Sequence, residues 1–189
     1  MVAKKRYIVA LGASAGGVAA LSEFFDNSLP DGVTYVITTH LYPHQKSILS
    51  QIIQKHIDIK VYDVIDNTEL ESNAIYVMPE NKTMTIEEGN LILNPRDLSI
   101  KVNKAIDIFF KSLANDTYFE KIAVVLSGMG IDGTEGITAL SKKGAYIIAQ
   151  TTLSADESSM PNSVIRSGFA DEILEPKQMP AAIIAYMAK

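Results

Sequence analysis

The sequence predicts an α/β fold: a doubly wound, mainly parallel sheet with helices on both faces and a small antiparallel hairpin insertion. Three observations lead to it. Short apolar, β-branched runs alternate along the chain with segments whose apolar residues recur at helical spacing. Two of those runs, in "RYIVALGASAGG" and "KIAVVLSGMGIDG", end in glycine-rich loops that open a helix. Between them, "KTMTIEEGNLILN" alternates its side chains about a Glu-Gly-Asn turn, the pattern of a hairpin.

The elements follow in order. Residues 6–12 read as a strand buried on both faces, and the helix after it carries Val18, Leu21 and Phe25 at helical spacing. "VTYVITTH" (33–40) is a second β-rich run, and after "LYPH" the segment "KSILSQIIQKH" presents Ile48, Leu49, Ile52 and Ile53 as an apolar stripe. "KVYDVI" and "AIYVMP" are short strands, and the hairpin of 82–94 is an insertion or an antiparallel edge. A helix from about Val102 to Ala114 turns Ile106, Phe109, Phe110 and Leu113 inward. "TEGITALSKKG" is the helix after the second glycine loop, with Gly144 as its stop. "AYIIAQ" is a buried strand, "PNSVIRSG" a short helix with Pro161 near its start, "ADEIL" a last strand, and "QMPAAIIAYMAK" a closing helix. No linker-like stretch divides residues 1–189, so one domain is expected.

Composition narrows the function. Hydrophobic residues at 47% and charged residues at 21% exclude a disordered chain. Seventeen Lys and Arg against 22 Asp and Glu give a net charge of −5, which argues against nucleic acid or anionic lipid as partners. The absence of cysteine removes disulfides, thiolate chemistry and cysteine-based zinc sites. No apolar run reaches membrane-span length, so no membrane insertion is expected, and the basic start of "MVAKKRYIVALGAS" reads as the lead into a first strand of a cytoplasmic protein.

In a parallel sheet, ligands gather where the chain leaves the carboxyl ends of the strands. Three exits carry reactive groups: Ser14, His40 and the loop with Asp132. Gly12-Ala13-Ser14-Ala15-Gly16 fits G-x-S-x-G, in which a tight turn lifts a serine hydroxyl above the sheet. Capping of the next helix, or an anion-binding turn, is the commoner use of a serine at such a position, and its partners must decide. A serine nucleophile needs a base, and of the three histidines only His40 ends a parallel strand at the same edge. His56 closes an amphipathic helix and reads as structural or surface, and His44 as an exposed loop residue; no third ligand accompanies His40 and His44 at a metal-binding spacing. "GMGIDG" (128–133) satisfies the dinucleotide fingerprint G-x-G-x-x-G, yet the next strand ends in Gln150, Thr151 and Thr152 rather than the acidic residue that grips ribose. Asp132 inside that loop would repel a pyrophosphate; it is placed either to hold a histidine ring or to serve as a helix N-terminal carboxylate.

Together these residues resemble the catalytic domain of the chemotaxis protein-glutamate methylesterases, the CheB family. "GASAGG" is similar to that family's serine motif, His40 matches its histidine, "LSGMGIDGTEGI" is close to its aspartate loop, and Gln150 followed by Met160 and Pro161 resembles its last active-site segment. The resemblance implies a doubly wound serine hydrolase without cofactor or metal. It assigns Ser14 as nucleophile, His40 as general base and then acid, Asp132 as the carboxylate that orients the ring, and the Met129 N–H to the oxyanion hole; the chemistry asks for a second donor, for which the Ala15 N–H is the candidate. The implied substrate is a glutamate γ-methyl ester on a chemoreceptor or similar signalling protein, with deamidation of receptor glutamines as a related activity.

Departures from the family pattern fall at Ala15, where a threonine is usual, at Thr83, where a histidine is frequent, and at Asn103 and Lys104 before Ile106-Asp107. No receiver domain is expected within this length, so the chain is either a stand-alone domain or part of a larger sensory protein. The alternatives are an esterase with a different acyl substrate and a non-catalytic nucleotide-binding or sensory module.

Overall fold

The computed structural model describes residues 5–40 and 43–189, with side chains from residue 48 onward in the second span. Strand β1 (Tyr7–Ala13) is buried from Ile8 to its end, as a strand covered on both faces must be. Its side chains alternate between two cores: Ile8 and Ala10 enter one apolar cluster, Val9, Leu11 and Ala13 the other. Helix α1 (Gly17–Phe25) follows, then β2 (Val33–Thr39), buried throughout, and α2 (Pro43–Gln54). The chain continues through β3 (Lys60–Asp63), the two-residue β4 (Thr68–Glu69), β5 (Ala74–Val77), β6 (Lys82–Glu87) and β7 (Asn90–Pro95). Helix α3 (Ala105–Asn115), β8 (Glu120–Val125), α4 (Thr134–Ser141), β9 (Tyr146–Gln150), α5 (Ser159–Ser167), β10 (Glu172–Leu174), a short 3₁₀ turn (Pro176–Gln178) and α6 (Met179–Met187) complete it.

Seven strands form the main sheet in the order β10-β9-β8-β1-β2-β5-β3, and every pairing in it is parallel. The expected doubly wound sheet is therefore present, with one cluster packing α3, α4 and α5 on one face and the other packing α1, α2 and α6 on the opposite face. The strand order reverses at β1: β2, β3 and β5 lie to one side of it, with β5 inserted between β2 and the edge strand β3, and the chain then returns to lay β8 on β1's other side. That reversal opens a crevice at the carboxyl ends of β1 and β8, where such sheets bind ligands.

The hairpin is a separate unit and not an edge of the main sheet. β6 and β7 pair antiparallel about Glu88-Gly89, both at positive φ (48° and 81°), the geometry of a type I′ turn. β4 adds to β7, making a three-stranded sheet whose Met84, Ile86 and Leu91 pack into the α3 cluster. Helix α3 begins three residues later than its apolar pattern suggests, because the Asn103 side chain accepts the Ala105 N–H at 3.0 Å and Val102 stays exposed. Its inward residues are the expected ones: Ile106, Phe109, Phe110 and Leu113 are fully buried. α3 lies close over β1 because residue 12 is glycine; a Cβ there would stand 2.7 Å from Ile106 Cγ2.

Candidate active site

Ser14 leaves β1 one residue past its end and is only 6% exposed. Its N–H donates to Ser127 O at 2.9 Å, which ties the turn to the loop after β8, and its carbonyl accepts the N–H of Gly17. The N-cap of α1 is Gly16, with no side-chain cap, so the Ser14 hydroxyl is not spent on the helix. It lies 2.9 Å from His40 Nδ1 instead. His40 follows the last residue of β2, whose register sets Ala13 beside Thr39 and so brings the two strand exits together.

The other edge of the ring faces the β8 loop. His40 Nε2 is 3.4 Å from Asp132 Oδ2, within ion-pair reach but longer than a hydrogen bond, and it has no closer partner among the described residues. A ring movement of about 0.5 Å closes that gap, and catalytic contacts in unliganded sites are often this loose. The tautomer with its proton on Nε2 points that proton at Asp132 and leaves the Nδ1 lone pair for the Ser14 hydroxyl.

Asp132 does more than face a histidine. Its Oδ1 accepts the N–H of Asp107 and of Gly133, both at 2.9 Å, and its Oδ2 accepts the N–H of Ile106 at 3.0 Å. Two of these donors belong to the first turn of α3, which has no side-chain cap from Lys104 at its own N-cap. The carboxylate thus satisfies orphan amides and sits at the positive end of the α3 dipole. Both roles open to it in the sequence are compatible, but the helix it caps is α3, 26 residues upstream, rather than α4, which follows it.

The glycine loop is latched from behind. Ser127 Oγ donates to Ala15 O at 2.8 Å and accepts the N–H of Glu157 at 3.0 Å, while Gln150 Oε1 accepts the Ser127 N–H at 2.8 Å. Gly128 N–H donates to Glu157 O, and the Gly128 carbonyl accepts the N–H of Met160. Sequence reasoning connected Gln150, Met160 and Pro161 to the site only by resemblance and missed Ser127, whose sole signal is a polar residue at the end of a buried strand. The N–H groups of Ala15 and Met129 donate to no described residue. In the dinucleotide fingerprint of 128–133, by contrast, two of the three glycine amides are already engaged, Gly128 by Glu157 and Gly133 by the Asp132 carboxylate. Those two amides are therefore not free to receive a pyrophosphate.

His40, Asp107, Met129, Asp132 and Glu135 line one pocket of about 430 Å³, and Val102, Asn103 and Lys104 separate it from a neighbouring one that holds Thr83, Arg96 and Asp97. Of the family departures, Asn103 and Lys104 therefore line both pockets, and Thr83 lines the second. The rim is apolar and open: Met129 and Ile131 are 60% and 70% exposed. Glu135 pairs with Lys111 and, at 3.5 Å, with Lys104. Asp107 is 4% exposed, and its Oδ1 accepts the Gly136 N–H at 2.8 Å. Burial, and then the charge of Asp132, push its carboxyl up to about 6. His56 stands outside the site, paired with Asp26 at 2.6 Å on the surface. His44 falls in the first turn of α2, not in a loop, and the exposure expected of its side chain lies outside the described residues. Among the described residues no three His, Cys, Asp or Glu side chains are grouped to hold a metal ion, and no helix is long and apolar enough to cross a membrane.

The CheB methylesterase family model matches residues 9–183, nearly the full chain and all three strand exits. The chain belongs to the CheB methylesterase family. Its backbone superposes on the crystal structure of the Thermotoga maritima CheB methylesterase catalytic domain with a TM-score of 0.86 at 27% identity, covering 97% of this chain and 100% of that one. A Bacillus licheniformis protein named protein-glutamate methylesterase/protein-glutamine glutaminase is 32% identical over 97% of this chain, which spans 53% of that protein. A Leptospira interrogans protein, named as putative for the same activities, is 27% identical over 93% of this chain and 92% of its own length. Against the Bacillus licheniformis relative and a Saccharophagus degradans one, this CheB-family chain spans about half the length, 53% and 48%.

Proposed function

We propose that this CheB-family domain is a serine hydrolase that removes methyl groups from glutamate γ-methyl esters on chemoreceptors or similar signalling proteins, in the cytoplasm. The observation that carries it is the line of contacts from Ser14 Oγ to His40 Nδ1 at 2.9 Å and from His40 Nε2 to Asp132 Oδ2 at 3.4 Å.

The chemistry follows from that line. Ser14 Oγ attacks the ester carbonyl carbon as His40 Nδ1 takes its proton, and the imidazolium is stabilised by the Asp132 carboxylate. Here Nδ1 faces the serine and Nε2 the carboxylate, the reverse of the familiar serine-protease arrangement; each ring nitrogen keeps its task with the tautomer exchanged. The developing oxyanion is received by the free N–H groups of Ala15 and Met129. With alanine at position 15 the hole is built from backbone alone. His40 then returns its proton to the leaving oxygen, methanol departs, and a water deprotonated by His40 hydrolyses the acyl-enzyme. The same sequence on a glutamine amide releases ammonia, which agrees with the glutaminase half of the relatives' names.

Receptor carrying isotopically labelled γ-methyl esters tests this directly: labelled methanol should appear as ester is lost. Cleavage of p-nitrophenyl esters with an inert methylated receptor would assign the site to another acyl substrate.

A further inference from the structure

One buried carboxyl at this site has no task in the reaction above. Asp107 and Asp132 hold each other's helix by its amino end: the Asp132 carboxylate accepts Ile106 and Asp107 N–H in the first turn of α3, and the Asp107 carboxylate accepts Gly136 N–H in the first turn of α4. Two acidic side chains thus meet between two helix N-termini, next to the imidazole that must become charged in the transition state. Asp107 lines the same pocket as His40 and Asp132.

We propose that Asp107 is a positioning residue of the triad, acting through Asp132: its carboxyl fixes the α3–α4 crossing that aims Asp132 at His40, and its negative charge strengthens the field in which the His40 imidazolium forms. This rests on the hydrolase reading above. The surroundings support the charge half of it. Facing Asp107 are Asp132 and Glu135 from the entry of α4, Lys104 from the N-cap of α3 and Lys111 from α3 itself, and His40 from the end of β2, while β6 contributes the uncharged Met84 and Ile86 to the apolar cluster beneath α3. The two lysines are drawn to Glu135 at the rim, so among the described residues no lysine or arginine pairs with either buried carboxyl, and the imidazole of His40 faces Asp132. Burial first, and Asp132 second, raise the Asp107 carboxyl to about 6, so its charge is present at neutral pH and lost in mild acid.

Asp107→Asn keeps the acceptor for Gly136 N–H and fixes the uncharged state at every pH. The expected result is a kcat/KM for methyl-ester cleavage lowered about tenfold on its plateau, with the acid limb of the pH profile moved to lower pH by about half to one unit, because the remaining charges hold the imidazolium proton less tightly. A purely structural role would lower the plateau and leave the limb in place, and that outcome overturns the proposal. In the unsubstituted protein, the carbon-13 shift of the Asp107 carboxyl should titrate near 6; a midpoint above neutral pH, which would leave the carboxyl uncharged where the enzyme works, overturns the proposal without any variant. Ser14→Ala separates the two levels. Turnover surviving that change brings down the hydrolase reading, whereas an unmoved limb in an enzyme that Ser14→Ala silences brings down the role of Asp107 alone.

Discussion

Replacing Asp132 by Asn changes one atom of a group with four neighbours, and the structure sets the size of each consequence. If Oδ1 stays on the Asp107 and Gly133 amides, the new NH₂ occupies the Oδ2 position and points donors at the Ile106 N–H and at His40 Nε2. The flipped amide is worse, since it sets two backbone donors against the NH₂ instead of one. A buried unsatisfied N–H costs about 1–3 kcal/mol. Loss of the charge at the α3 amino end costs about 0.3–1 kcal/mol more. The domain should therefore lose about 1–4 kcal/mol, read as a fall in the midpoint of urea unfolding. Domains of this kind begin with about 5–15 kcal/mol, so the variant remains folded in buffer. The catalytic loss is larger and separate. An NH donor aimed at Nε2 turns that nitrogen into an acceptor, moves the ring proton to Nδ1 and removes the base that Ser14 needs. Methanol release should fall about 10³–10⁴-fold in protein shown to be folded. A fall of tenfold or less, together with the full stability loss, would mean that Asp132 only anchors α3 and that His40 is oriented by another group.

Two further outcomes are expected. In Gly128→Ala the added Cβ would meet Met160 Cε at 2.7 Å and Ser14 Cβ at 2.8 Å; the methionine tip can shift but the nucleophile cannot, so turnover should drop about 10²-fold with about 1–3 kcal/mol of stability lost, and Met160→Ala in the same chain should restore stability but not rate. Asp107 holds its proton up to about 6 in the folded state and releases it near 3.8 when unfolded, so the stability it contributes is complete below 3.8 and lost as pH rises through 6. The unfolding free energy of the wild type minus that of Asp107→Asn should therefore fall by about 3 kcal/mol between pH 3.5 and pH 7 in urea titrations, and a difference independent of pH would contradict the raised carboxyl.

What could be seen in advance followed from periodicity and strand exits. The alternating runs predict the parallel sheet because burial on both faces demands near-continuous apolar strands, and β1 and β2 meet that demand almost residue for residue. Ser14 and His40 are legible for the same reason: in a parallel sheet the reactive residue that follows a strand appears at one known edge. Asp132 is legible as a loop carboxylate, but its hold on Ile106 and Asp107 is not, since it joins segments 26 and 25 residues apart and no local pattern encodes which amide a side chain reaches. Ser127 is hidden likewise, because its value lies in touching Ala15 and Glu157 at once. The hairpin's turn is written in Glu88-Gly89, while its separation from the main sheet depends on β4, two residues long and too short to carry a period.

The unity of Ser14 and His40, on which the account rests, is tested most directly by the rate of methanol release from methylated receptor by wild type, Ser14→Ala, His40→Ala and the doubly substituted protein. Each single change should cost about 10⁴-fold or more, and the pair should be no slower than either alone, because removing one member already disables the others. Turnover by folded Ser14→Ala within tenfold of wild type would contradict it.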